Sequence, residues 1–326
     1  TAGSRGSEAG LSWRSVYAVR NLSVRVLNEL EIDSMSNFQF PENLRDLASV
    51  EYQFDIQSEE DLQFESESLP QRGFKQSLRL LRDLAEPEDW SGTENPHRYL
   101  PILSSYLNFT YKRLVTEGKV LISGDGSFAA FNTGLITPWA EDIFAIYGPN
   151  RRDNRPFAFR RWTTPSDGIL HNQFSQLPEM AQYFGSISDL VFDFKNEIHP
   201  NYRHILNDHP ERYPEEFNAL PEPIRLNLLR GAIDRAIIRA RRNYKTLVPQ
   251  MYVTESDSRI QFLMPLDLMA RGKTDVALVV NPQASGAATA NTALTLGMAY
   301  NNARLICRPS SEWLPPIAPP DEESAE

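Results

Sequence analysis

Two adjacent carboxamides, Asn301 and Asn302, are followed within six positions by Arg304 and Arg308, the densest group of chemically capable side chains in the sequence. A guanidinium fork grips phosphate oxygens in two places, and an Asn amide both donates and accepts, so the group suits recognition of a phosphate or nucleotide. Two further segments place similar types where an apolar run ends or begins: Asn132 and Thr133 in FNTGL, and Lys245 and Gln250 in NYKTLVPQ. Each also has a plain structural reading. Asn and Thr stabilise turns through their own side chains, and a lysine at a helix C-terminus complements the dipole. Two adjacent Asn residues can form a turn or an Asx cap, and Arg304 can be a surface ion-pair member. Gathered from distant loops, the same residues would line an anion-receptive site. There Lys245, Arg304 and Arg308 would stabilise developing phosphate charge, while Asn132 with Thr133, Gln250, Asn301 and Asn302 orient the ligand.

The histidines His199, His204 and His209 are spaced by five. That interval turns successive side chains off one helical face, so the three do not converge naturally, and no metal is assigned. Pro200 and Pro210 break the regularity, which keeps a ligand set with Asp208 open as the lesser reading. Histidine is the residue type suited to proton transfer near neutrality, and His204 is the candidate general acid–base, set against the commoner role of a hydrogen-bonded structural histidine. Familiar catalytic signatures are missing. There is no Gly-x-x-x-x-Gly-Lys-Ser/Thr loop, no Gly-x-Gly-x-x-Gly, no Gly-x-Ser-x-Gly elbow and no His-Glu-x-x-His. The single cysteine, Cys307, excludes an internal disulfide and any Cys-x-x-Cys zinc site, and fits a reducing, cytoplasmic setting.

The net charge of −10 argues against a surface coated for nucleic acid, but its distribution is uneven. Residues 29–95 hold 17 acidic and 5 basic side chains, a net of −12, and residues 225–308 hold 12 basic and 5 acidic, a net of +7. Arg230, Arg235, Arg241 and Arg242 could extend the cationic field from one helix, with Tyr244, Tyr252, Tyr300 and Trp313 as candidate stacking aromatics; a solvated face and core packing are the plainer explanations.

The elements that must position these residues are read from periodicity. Apolar spacing predicts helices over 12–31, from Phe74 to about Pro87, from Arg98 to Gly118, and over 222–245, the last with Ile224, Leu228, Ala232, Ile233, Ala236, Ile237 and Ala240 on one face. Gly124-Asp125-Gly126 predicts a hairpin. EDIFAIYG, PFAFRRWT, LVPQMYVT, RIQFLMPL, DVALVV and ALTLGM read as strands, ISDLVFDF as a buried strand, LPEMAQYFG as a short helix and AYNNARLI as a turn or short helix. Residues 33–72 read differently from these elements; within them the acidic, serine-rich stretch IQSEEDLQFESESLPQ reads as a linker or mobile loop, and PPIAPPDEESAE reads as a disordered acidic tail. No run of eighteen apolar residues suggests a membrane span. The opening TAGSRGSEAG has no signal-peptide pattern and reads as a trimmed terminus. The organisation expected is a helical, acidic extension over 1–73, an α+β domain over 74–314 built on a mixed, largely antiparallel sheet flanked by helices, and a tail over 315–326.

The blocks FNTGL, HILND with a following Arg-Tyr-Pro, NYKTLVPQ and LTLGMAYNNARLICRPSSEWL resemble those of an uncharacterised, mainly bacterial domain family. The resemblance runs from Phe74 to Leu314. The resemblance implies that members stand at times beside cold-shock or OST-type winged-helix RNA-binding domains, and with that a link to RNA. It implies matching positions at Asn132, Thr133, His204, Arg212, Lys245, Gln250, Asn301, Asn302 and Arg304, and it supplies no catalytic assignment and no cofactor. Gly297 departs from the acid expected in that block. The function expected is RNA or nucleotide-phosphate binding, with metal-independent processing if His204 is catalytic. The rivals are a protein-interaction scaffold that docks a partner through the acidic N-terminal region, and a nuclease-like defence or toxin effector.

Overall fold

The computed structural model describes residues 39–50, 68–92, 99–253, 258–310 and 313–314. Ten strands and eight α-helices alternate along them. The order is α1 (Leu44–Leu47), β1 (Ala48–Ser49), α2 (Leu69–Leu84), α3 (Pro101–Thr116), β2 (Leu121–Ile122), β3 (Ala129–Ile136), β4 (Asp142–Pro149), β5 (Phe157–Thr163) and α4 (Gly168–Gln173). There follow β6 (Glu197–Pro200), α5 (Tyr202–Asn207), α6 (Glu215–Asn218), α7 (Glu222–Ala240), β7 (Val248–Val253), β8 (Ser258–Leu266), β9 (Val276–Pro282), β10 (Ala287–Leu294) and α8 (Leu296–Arg304). The strands form two five-stranded sheets, ordered β1-β5-β4-β3-β2 and β6-β10-β9-β8-β7. Each is mixed: β1 runs parallel to β5 and β6 parallel to β10, while the other pairs are antiparallel. The fold is a single α+β domain.

Strand alternation builds the layers. On β8 and β9, Leu263, Ala277 and Val279 pack into one core with Ala299, Tyr300 and Ala303 of α8. Their neighbours Phe262, Met264, Leu278 and Val280 point the other way, into a second core with Leu229, Ala232, Ile233 and Ala236 of α7 and Ile205 and Leu206 of α5. A period of two puts successive side chains on opposite faces, so α8 covers one face of this sheet and α5 with α7 the other. The first sheet behaves likewise. Phe131, Ala145 and Tyr147 join α2, α3 and α8, while Ala130, Phe144 and Ile146 turn to Leu170 and Phe174 at α4. Helices α2, α3 and α8 therefore fill the space between the two sheets.

Local chemistry sets the ends. Pro101 opens α3, where its missing N–H has no cost. Gly118 closes it at φ 67 with Lys119 N bonded to Leu114 O, a left-handed terminus suited to glycine. The Asp-Gly hairpin is present between β2 and β3, with Gly126 at φ 73.

Several expectations are corrected. LPEMAQYFG is not a helix: the side chains of α3 and the residues after it hold its backbone groups instead, through Lys119 Nζ to Met180 O, Arg113 Nε to Gln182 O and Gln182 N to Glu117. ISDLVFDF is not a strand. Ile187–Leu190 form a single 3-10 turn capped by Ser186, while Phe192 is buried in the core, edge-on to Phe262, and Phe194 packs against it. The last strand lies earlier, at Ala287–Leu294, because the Thr295 hydroxyl accepts from Met298 N and starts α8 at Leu296. Residues 44–49, for which no element was expected, carry α1 and β1, and the end of the linker stretch, from Leu69, opens α2; the linker residues 56–67 lie outside the described residues. On α7, Leu229 is buried whereas Ile224 is exposed. The readings of 12–31 and 315–326 lie outside the described residues.

At Gly134, φ is 72 and a Cβ would stand 2.7 Å from Tyr106 Oη. Gly134→Ala combines left-handed strain with a clash against a buried phenol, and should destabilise the fold by roughly 2 kcal/mol or more, read as a lower midpoint in urea denaturation.

Candidate functional site

The group that dominated the sequence lies on and just after α8, and its centre is an ion pair that spacing could not reveal. Arg304 donates from Nε to Glu88 Oε1 at 2.6 Å and from Nη2 to Glu88 Oε2 at 2.9 Å. The two side chains are 11% and 4% exposed. The guanidinium carbon lies 4.9 Å from the Trp90 ring centroid and 4.8 Å from that of Tyr106. Tyr300, one turn before Arg304, donates its hydroxyl to Glu88 Oε1 at 3.0 Å. Burial works against the guanidinium charge, but the Glu88 hydrogen bonds and carboxylate outweigh it and hold the Arg304 pKa above its usual value. Burial pushes the Tyr106 phenol up, with Arg304 opposing. For Tyr300, burial and then Glu88 both push up. Arg304 is thus a cation whose countercharge is already supplied from within the protein.

The surrounding amides form short chains of bonds. Asn301 Nδ2 donates to Ser105 Oγ at 3.1 Å, Asn302 Nδ2 to Gln250 Oε1 at 3.1 Å, and Gln250 Nε2 to Gln261 Oε1 at 3.1 Å. Arg308 is exposed and donates from Nη1 to Pro87 O at 3.2 Å, beside Glu88. Among the described residues, three buried polar atoms bordering the pair have no hydrogen-bond partner: Asp89 Oδ2, Trp90 Nε1 and Asn301 Oδ1.

Asn132 and Thr133 reach the same neighbourhood only through backbone, since Tyr106 donates its hydroxyl to Thr133 O at 3.0 Å. Their side chains serve a bulge in β3. Asn132 Oδ1 accepts from Gly134 N at 2.8 Å and its Nδ2 donates to Asp142 Oδ2 at 3.2 Å, while Thr133 Oγ1 donates to Ile143 O at 2.7 Å. Both are buried. Arg212 is also structural, donating to Thr292 Oγ1 at 3.0 Å and Ala293 O at 2.9 Å at the end of β10.

His204 and Lys245 do not join Arg304 in one pocket. His204 sits on α5, on the sheet face opposite α8, exposed, with Nδ1 2.5 Å from Asp208 Oδ2. Lys245 is exposed on the 3-10 turn Tyr244–Thr246 that follows α7. Among the described residues no group of three His, Cys, Asp or Glu side chains is arranged to hold a metal ion.

Residues 81–313 match the family described as "Domain of unknown function (DUF3825)". The chain belongs to this family. No curated protein matches the chain, and neither does any solved structure. The DUF3825 span contains both members of the Glu88–Arg304 pair, the two aromatic rings that enclose it, and both sheets beyond β1. Glu88, Trp90, Tyr106 and Ser105 were invisible as site residues in the sequence. Only Tyr300, four positions before Arg304, carried a local signal, the helical spacing that aligns the two side chains.

Removing the carboxylate strands a buried cation. Glu88→Gln should lower stability by about 3–5 kcal/mol, and the double variant Glu88→Gln/Arg304→Met should recover part of that loss in a denaturation double-mutant cycle. Additive losses would mean the two side chains are not coupled.

Proposed function

We propose that this DUF3825 domain binds RNA, or a nucleotide, through phosphates, on an exposed cationic surface at the end of α7 rather than at the neutralised Arg304. One observation carries the reading: Arg241, Arg242, Tyr244 and Lys245 are all exposed on the closing turns of α7 and the 3-10 turn behind it. Arg242 N and Asn243 N both bond to Arg239 O, and Thr246 N to Asn243 O, so these residues are held close together. Tyr244 is 57% exposed, a flat face of the kind on which an unpaired base stacks. Asp267 is engaged by Arg239 at 2.7 Å, and Asp234 stands two turns back on α7. The link to RNA that the family resemblance implies points the same way, as does the basic excess of residues 225–308. A cytoplasmic setting and a bacterial source belong to the same proposal. We assign no reaction and no cofactor. His204 with Asp208 is a hydrogen-bonded, exposed pair that could move a proton, but it sits apart from the arginines expected to serve it.

A second reading, a protein-interaction module, is favoured by a separate observation. Leu177, Met180, Ile187 and Val191 are exposed along one irregular connection between the sheets.

The triple variant R241A/R242A/K245A should bind a fluorescein-labelled oligouridylate about tenfold more weakly at low salt. Its plot of log affinity against log salt should be shallower by about 2–3 units, the number of phosphate contacts removed. The melting temperature should hold, because surface substitutions alter stability little. Unchanged affinity would rule the α7 end out as the RNA surface.

A further inference from the structure

The described chain leaves the core beside the cationic surface. Trp313 donates its indole Nε1 to Thr246 O at 2.9 Å, and Leu314 is 1% exposed, so the last described residues are fixed against the turn that carries Tyr244 and Lys245. The next twelve residues read PPIAPPDEESAE. They contain Asp321, Glu322, Glu323 and Glu326 and no lysine or arginine. From Leu314, the stretch 315–320 reaches at most roughly 20 Å, and Arg242 stands four positions from Thr246, at most roughly 14 Å away even if fully extended. The carboxylates therefore start within reach of Arg241, Arg242 and Lys245, and a tether of this length gives them a high effective concentration there.

We propose that residues 321–326 dock on the Arg241–Arg242–Lys245 surface and act as a built-in polyanion that competes with RNA for it. The proposal rests on the reading of that surface as an RNA site. Exposed ion pairs are individually weak and screened by salt, so the docked segment is a reversible competitor whose strength falls as ionic strength rises. Its chemistry copies the partner it excludes: closely spaced negative charges along one chain, presented to cations that recognise charge more than shape. The consequence is a raised threshold. Short or isolated anions are shut out, while a longer RNA that makes several phosphate contacts displaces the segment.

Two measurements on the full chain separate this proposal from the function on which it rests. In the first, a carbodiimide joins carboxylates to amines already in contact, and the products are mapped by peptide mass spectrometry. Bonds from Lys245 to Glu322, Glu323 or Asp321, lost in high salt, are expected; their absence at low salt overturns the docking whatever RNA does. In the second, D321N/E322Q/E323Q/E326Q is compared with the native chain on labelled oligouridylate. Neutralising the acids should tighten binding about tenfold at low salt and less than about twofold at high salt. In the R241A/R242A background it should have no effect. Equal affinity at low salt, or an effect that persists without the two arginines, overturns the competition. If the crosslink forms and neither protein binds RNA, the docking stands, and RNA is not the partner this segment displaces.

Discussion

A single buried ion pair holds together parts of the chain that are far apart in sequence. Glu88 comes from the irregular segment after α2, Arg304 from the last helix, and the Trp90 and Tyr106 rings that the guanidinium lies against come from that segment and from α3. Tyr300 adds its hydroxyl to the same carboxylate, Arg308 bonds the backbone one residue earlier, and Tyr106 carries the connection on to β3. The pair thus lies where α3 and α8 meet in the layer between the sheets. Such a pair need not stabilise more than apolar residues of the same shape would, but it tolerates only one arrangement, because either charge left alone in that interior is costly. What it specifies is how the halves of the domain meet.

The pair also decides which arginines can serve an outside partner. A guanidinium that already has a bidentate carboxylate and two aromatic faces has little attraction left for phosphate, whereas one at the end of a surface helix keeps its charge in the solvent. The uneven charge of the sequence resolves accordingly. Arg304 and Glu88 cancel inside the fold and Arg239 is matched by Asp267, while Arg241 and Arg242 stand exposed just past the end of α7.

The parts of the fold set by short-range chemistry were readable. The long helix of α7, the glycine stop of α3, the Asp-Gly hairpin and the strands from Asp142 to Thr163 all follow from spacing and turn residues that lie within a few positions of one another. The segment LPEMAQYFG was not readable, because its backbone is satisfied by Arg113, Glu117 and Lys119, more than sixty residues away. The same limit applied to the site. Asn301, Asn302 and Arg304 stand together on α8, and Gln250 meets Asn302, but nothing near Arg304 in sequence announces Glu88, which is 216 residues earlier. Asn132 and Thr133 attracted notice for their types; their role in completing a bulge in β3 depends on partners in the next strand.

That separation has a bearing on how the chain acquires its shape. A polypeptide emerging from the ribosome presents Glu88 and Trp90 long before Arg304 exists, and α8, which covers one face of the second sheet, is among the last described elements to be made. Until then Val279, Leu263 and Ala277 have no helix over them. Contacts between ends so distant carry the largest loop-closure entropy and are the slowest to form. The domain therefore completes its interior late, and an incomplete chain, with an apolar sheet face uncovered, is the form most open to proteases and to aggregation.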